Sequence, residues 1–100
     1  MSLLAQIVNE EKIRIEKMIA DYETALLSFP KGVLVVKMVK ENQYYYLQYR
    51  DGKKTVSEYV GKDTEKVAEI RLRVERRKQI ELILKELREE HALAQKYTGA

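Results

Sequence analysis

Lys37, Arg50 and Lys53 stand among Tyr44, Tyr46, Gln48 and Thr55, and this is where the chain concentrates groups that could do chemistry. Ammonium and guanidinium groups suit phosphates. Amides and hydroxyls can read base edges or backbone oxygens, and exposed phenol rings can stack or pack on sugars. The spacing matters, because strand residues point to alternate faces with a period of two. A second basic group lies in the run RLRVERRK, where Arg73, Arg76 and Arg77 could contact phosphates. On a helix the same arginines could equally pair with Glu69, Glu75 and Glu81.

Catalysis finds little footing. The one histidine, His91, lies late in the chain on an apolar stripe, where a packed or interfacial role is the plainer reading. Glu86, Glu89 and Glu90 form a charge run without histidine or cysteine at metal-ligand spacing. The four glycines are isolated, so no phosphate-cradling loop is written here. No metal and no cofactor are expected. An enzyme would need a shared site around His91.

The elements that position these groups follow from local signals. Asp51-Gly52 suits a two-residue type I′ turn, flanked on both sides by aromatic and β-branched residues. That turn sets Arg50 against Lys53, Gln48 against Thr55 and Leu47 against Val56. A second turn over Lys40-Glu41-Asn42-Gln43, with Val39 facing Tyr44, makes residues 33–61 a three-stranded antiparallel meander. One face then carries Leu34, Val36, Met38, Tyr45, Leu47, Tyr49 and Val56, and must be covered. The other carries Val33, Val35, Lys37, Tyr44, Tyr46, Gln48, Arg50, Lys53, Thr55, Ser57 and Tyr59. That mixed face is either a binding surface or an ordinary solvent- or subunit-facing one.

Before the sheet, residues 1–29 read as a long amphipathic helix, with Ser2 as N-cap and an apolar seam through Leu4, Val8, Ile15, Met18, Tyr22, Ala25 and Phe29. Pro30 and Gly32 end it. After the sheet, Asp63 or Thr64 can cap a second helix over 63–97, with Gly99 beyond its end. Its stripe is Val67, Ile70, Val74, Ile80, Ile83, Leu84, Leu87, His91 and Ala94, with Arg77 where an apolar residue would be expected. The chain is thus read as a single α+β domain: long helix, three-stranded antiparallel sheet, long helix.

The helices would be about 40 and 50 Å long, and the second overhangs a body of this size, whose diameter is roughly 35 Å. A homodimer burying Ile80, Leu84, Leu87 and His91 between copies is therefore expected; the alternative is a monomer whose two helices pair antiparallel.

Net charge is +3, and it is uneven. Residues 31–62 hold seven basic and three acidic groups, whereas residues 1–30 hold three basic and five acidic. The excess sits on the sheet, where a double-stranded DNA partner would use it. The absence of cysteine suits a cytoplasmic setting, and no run approaches a membrane span. The opening MSLLAQIVNEEKIR lacks the long apolar core of a signal peptide.

The stretch YYYLQYRDGKKTVSEYVGK, Tyr44 to Lys62, resembles the aromatic hairpin of small uncharacterised bacterial and archaeal proteins. It is also similar to the amino-terminal hairpin region of some insertion-sequence transposases and to arm-type DNA-binding domains of tyrosine recombinases. That resemblance implies a phage or mobile-element accessory protein that contacts DNA through Tyr44, Tyr46, Gln48, Arg50, Lys53 and Thr55. It carries over only the binding part, because 100 residues hold neither an acidic transposase triad nor a recombinase catalytic domain. A module for protein interaction or scaffolding, built on the long helices, is the competing expectation.

Overall fold

A computed structural model of the chain describes residues 2–62 and 64–98. The elements run α1 (Leu3–Leu26), β1 (Val33–Val39), β2 (Asn42–Asp51), β3 (Lys54–Gly61) and α2 (Thr64–Thr98). This is the α+β order expected from the turn and periodicity signals. The α1 cap is Ser2, whose Oγ accepts a hydrogen bond from the Ala5 N–H at 3.1 Å. Helix α1 stops at Leu26, a few residues short of Phe29, and Leu27 and Ser28 form a turn. Thr64 is already helical, so it is not the cap. Asp63 and Gly99 lie outside the described residues.

The chain forms two compact units. One is the continuous segment Phe29–Lys78; the other joins Met1–Ser28 to Gln79–Ala100. In the second of these, α1 lies antiparallel to the later part of α2, as the Glu23–Arg88 ion pair and the approach of His91 to Glu16 require. Its core is Ile15, Ile80, Leu84 and Leu87, with Ile80 only 1% exposed. Every residue of the expected α2 stripe, Arg77 included, is buried or half-buried. The α1 seam is covered from Val8 onward, while Leu4 is 70% exposed.

In the unit Phe29–Lys78 the strands make one sheet in the order β1-β2-β3, antiparallel throughout. Both turns differ from expectation by two residues of register. Val39 pairs with Asn42, so the first turn is Lys40-Glu41 and not the four-residue Lys40–Gln43. Asp51 pairs with Lys54, so the second turn is Gly52-Lys53. The reason is conformational. Only Gly52 takes a positive φ (64°), the φ signs of a type II′ turn, whereas type I′ would also have needed positive φ at the next residue. Asp51 stays in its strand, opposite the Lys54 cation.

A slip of two leaves every side chain on its expected face, because the strand period is two. The face with Leu34, Tyr45, Leu47 and Val56 meets the first turns of α2, where Val67 and Val74 are buried and Tyr45 lies beside Val67, Ala68 and Arg71. Glu58 joins this face opposite Leu47. It is exposed, and it accepts a hydrogen bond from the Tyr49 hydroxyl at 2.5 Å.

Two glycines permit the remaining backbone geometry. Gly32 takes φ 121°, and a Cβ there would sit 2.3 Å from the Gln48 carbonyl oxygen. Gly61, at φ 136°, closes a bulge: Tyr46 pairs with Tyr59 but Tyr45 with Gly61, so Val60 is the extra residue.

Candidate nucleic-acid interface

The face of the sheet turned away from α2 presents an aromatic and cationic cluster. Tyr44 and Tyr46 come from the central strand and Tyr59 from β3. Tyr46 and Tyr59 are cross-strand partners, with ring centres 5.4 Å apart and planes tilted by 58°. Tyr44 lies 6.4 Å from Tyr59. These separations suit edge-to-face aromatic contact.

Two lysines cap the rings. Lys37 is directly opposite Tyr44 in the ladder, yet its Nζ reaches diagonally to 4.5 Å from the centre of the Tyr46 ring. Lys62, just past β3, sets its Nζ 4.8 Å above Tyr44. Such contacts contribute about 0.5–1 kcal/mol each at exposed sites and restrict the lysine rotamers. The ammonium groups keep their remaining donors for an anion. Tyr59 is 57% exposed and Lys37 is exposed, so the cluster faces solvent.

Gln48, Arg50 and Thr55 surround a shallow depression toward the other end of the strands, which Gly32 and Val33 also line. Arg50 and Thr55 are cross-strand partners. Lys53 is exposed in the turn beyond them. The structure therefore brings the expected sheet residues onto one face in two groups: Lys37, Tyr44 and Tyr46 in the aromatic cluster, and Gln48, Arg50 and Thr55 around the depression.

The arginines of α2 do not join them, because α2 packs on the opposite, apolar face. Arg77 is half-buried and donates from Nη1 to the Phe29 carbonyl at 2.7 Å. The Arg73 guanidinium lies 5.8 Å from the centre of the Phe29 ring. Arg76 is exposed on the same helix and also has interactions within the chain. Arg73 and Arg77 thus contact the segment leading into β1, and all three lie outside the candidate site.

Lys62 was outside the expected set and belongs to the cluster, as does Tyr59, which was expected on this face but not singled out as a contact. The parity of β3 already put Tyr59 on this face. Lys62 follows the positive-φ Gly61, which ends strand periodicity, so no alternation pattern could place it.

The residues assigned to a helix interface between copies are covered inside the chain. Ile80, Leu84 and Leu87 are 1%, 2% and 8% exposed. His91 is half-buried, with Nε2 3.6 Å from a Glu16 carboxylate oxygen. No cluster of three or more His, Cys, Asp or Glu side chains suited to a metal occurs among the described residues. No helix among them is long and apolar enough to cross a membrane.

No curated protein and no solved structure matches this chain significantly. A family model does match, over residues 4–71, which take in α1, the whole sheet and the first turns of α2. With about two thirds of its length so matched, the chain belongs to the family described as a domain of unknown function, DUF6788.

Proposed function

We propose that this protein is a non-enzymatic nucleic-acid-binding module of the cytoplasm that docks the Lys37–Tyr46–Tyr59 face of its sheet on double-stranded DNA. The observation that carries the reading is the cluster itself. Three tyrosines and two ring-capped lysines stand together on the one sheet face that α2 leaves open.

The mechanism is electrostatic first. Lys37, Lys62, Arg50 and Lys53 neutralise phosphates and release condensed counterions, which makes affinity fall steeply with salt. Ring contacts pre-position two of these ammonium groups, so less side-chain freedom is lost on docking. Gln48 and Thr55 supply hydrogen bonds to backbone oxygens or base edges, and the tyrosines pack on sugars. A scaffold built on the helices has less support, since Ile80, Leu84 and Leu87 are already buried by the chain itself.

Fluorescence anisotropy of a labelled duplex at low and near-physiological salt tests the reading. Salt-sensitive binding is expected, and the Lys37→Ala, Lys62→Ala double variant should lower the slope of log affinity against log salt by roughly 2. A protein that ignores the duplex even at low salt does not bind through this face.

A further inference from the structure

Strand β1 is an edge of the sheet, with β2 on one side and no strand on the other among the described residues. All seven of its residues pair with β2 without a bulge, so its outer row of backbone N–H and C=O groups is straight, and no described strand pairs with it. Such an edge is a template for another strand, and proteins usually blunt it with charge, proline or a bulge. The opposite edge is blunted: β3 carries Lys54, Glu58 and the bulge at Val60. The sequence of β1, VLVVKMV, has neither proline nor bulge, and its single charge is drawn over the Tyr46 ring. Val33, Val36, Met38 and Val39 are 57%, 47%, 59% and 55% exposed.

We propose that β1 pairs antiparallel with β1 of a second copy, about a two-fold axis at Val36, to make one six-stranded sheet. The open backbone groups call for an extended strand, and the side chains of β1 are complementary to themselves in this register. Val36 faces Val36, Val35 faces Lys37, Leu34 faces Met38 and Val33 faces Val39. Moving the axis to Lys37 would set two like charges directly opposite each other, which is destabilising. The axis is normal to the sheet, so both aromatic and cationic clusters come to the same side. An isologous pairing of this kind closes on itself. An interface limited to one strand is small, and its dissociation constant falls in roughly the micromolar range. The pairing does not depend on DNA binding, and it places the contact between copies on the sheet.

Cysteine cross-linking tests it cleanly, because the chain has no native cysteine. Paired Cα atoms in an antiparallel ladder are about 4.5–5.5 Å apart, within disulfide reach. Under mild oxidation at roughly 100 µM, above the expected dissociation constant, Val36→Cys should form a covalent dimer. Ser57→Cys, on the opposite edge, should give only collisional background. Sedimentation velocity gives the second arm. Val36→Lys and Val36→Glu should each shift the protein to monomer with an unchanged circular dichroism spectrum, and an equimolar mixture should recover a dimer. A wild-type protein that stays monomeric at that concentration overturns the proposal. So does a dimer that survives Val36→Lys, or equal cross-linking at positions 36 and 57.

Discussion

Arg77 donates from Nη1 to the carbonyl oxygen of Phe29 at 2.7 Å, a bond across 48 residues of sequence. It explains why a charged residue occupies the apolar stripe of α2. Phe29 precedes Pro30, past the end of α1, where no helical N–H takes up its carbonyl. A half-buried guanidinium supplies the missing donor.

Replacing Arg77 with Met keeps the length and the apolar stem but removes that donor. The expected loss is about 1–2 kcal/mol, the low end for a charged donor because the site is only half-buried. Urea denaturation followed by circular dichroism measures it. A more stable variant would mean that the stripe simply prefers an apolar residue here.

Gly32→Ala should cost about 2–3 kcal/mol. Its φ of 121° is strained for any L side chain, and the added carbon would meet the Gln48 carbonyl oxygen at 2.3 Å, backbone that cannot swing aside. The same denaturation experiment reads the loss, and near-neutrality would show that the β1 start can shift outward.

Lys40 is the one non-glycine residue with positive φ among the described residues, at 59° in the first turn. Lys40→Gly should therefore stabilise the fold by roughly 0.5–1 kcal/mol. A higher melting temperature is the expected outcome; a lower one would mean that the loss of unfolded-state restriction outweighs the relieved strain.

The Tyr49 hydroxyl donates to Glu58, and this bond to a carboxylate holds the phenol above its ordinary value of 10.0. A raised folded value means that the contribution is fully present below the unfolded phenol value and is lost as pH rises through the folded one. Wild type should thus lose urea resistance in the alkaline range faster than Tyr49→Phe. Parallel curves for the two proteins would show that the bond contributes nothing to folding.

Most of the architecture was legible because it rests on periodicity. The α2 stripe could be read residue by residue, since every third or fourth position from Val67 to Ala94 is apolar except Arg77 and His91, and the structure covers all of them at least in part. The sheet faces were legible for a less obvious reason: both turns were misplaced, but each by an even number of pairings, so no side chain changed sides. What could not be read was which turn type Gly52 would adopt, because Asp-Gly suits one and Gly-Lys the other. Nor could the fate of the α2 arginines be read. The run RLRVERRK looks the same whether its cations face phosphate or a carbonyl such as that of Phe29, and only packing decides. Lys62 was hidden by the change of backbone direction at Gly61, and the sequence left the partner of the Ile80–Leu87 segment open between a second copy and α1, which lies far away in the chain.

That distance bears on how the chain comes into being. Helix α1 is synthesised first, but its partner belongs to Gln79–Ala100, on the far side of the continuous unit Phe29–Lys78. At roughly 5–20 residues per second, Ile15, Met18 and Tyr22 wait about 3–13 s for Ile80, Leu84 and Leu87 to emerge from the ribosome. The meander needs no such delay, because each strand pairs with its neighbour in sequence. The nascent protein is thus a finished sheet with an unmated amphipathic helix ahead of it, and in that interval chaperones have a reason to attend to it.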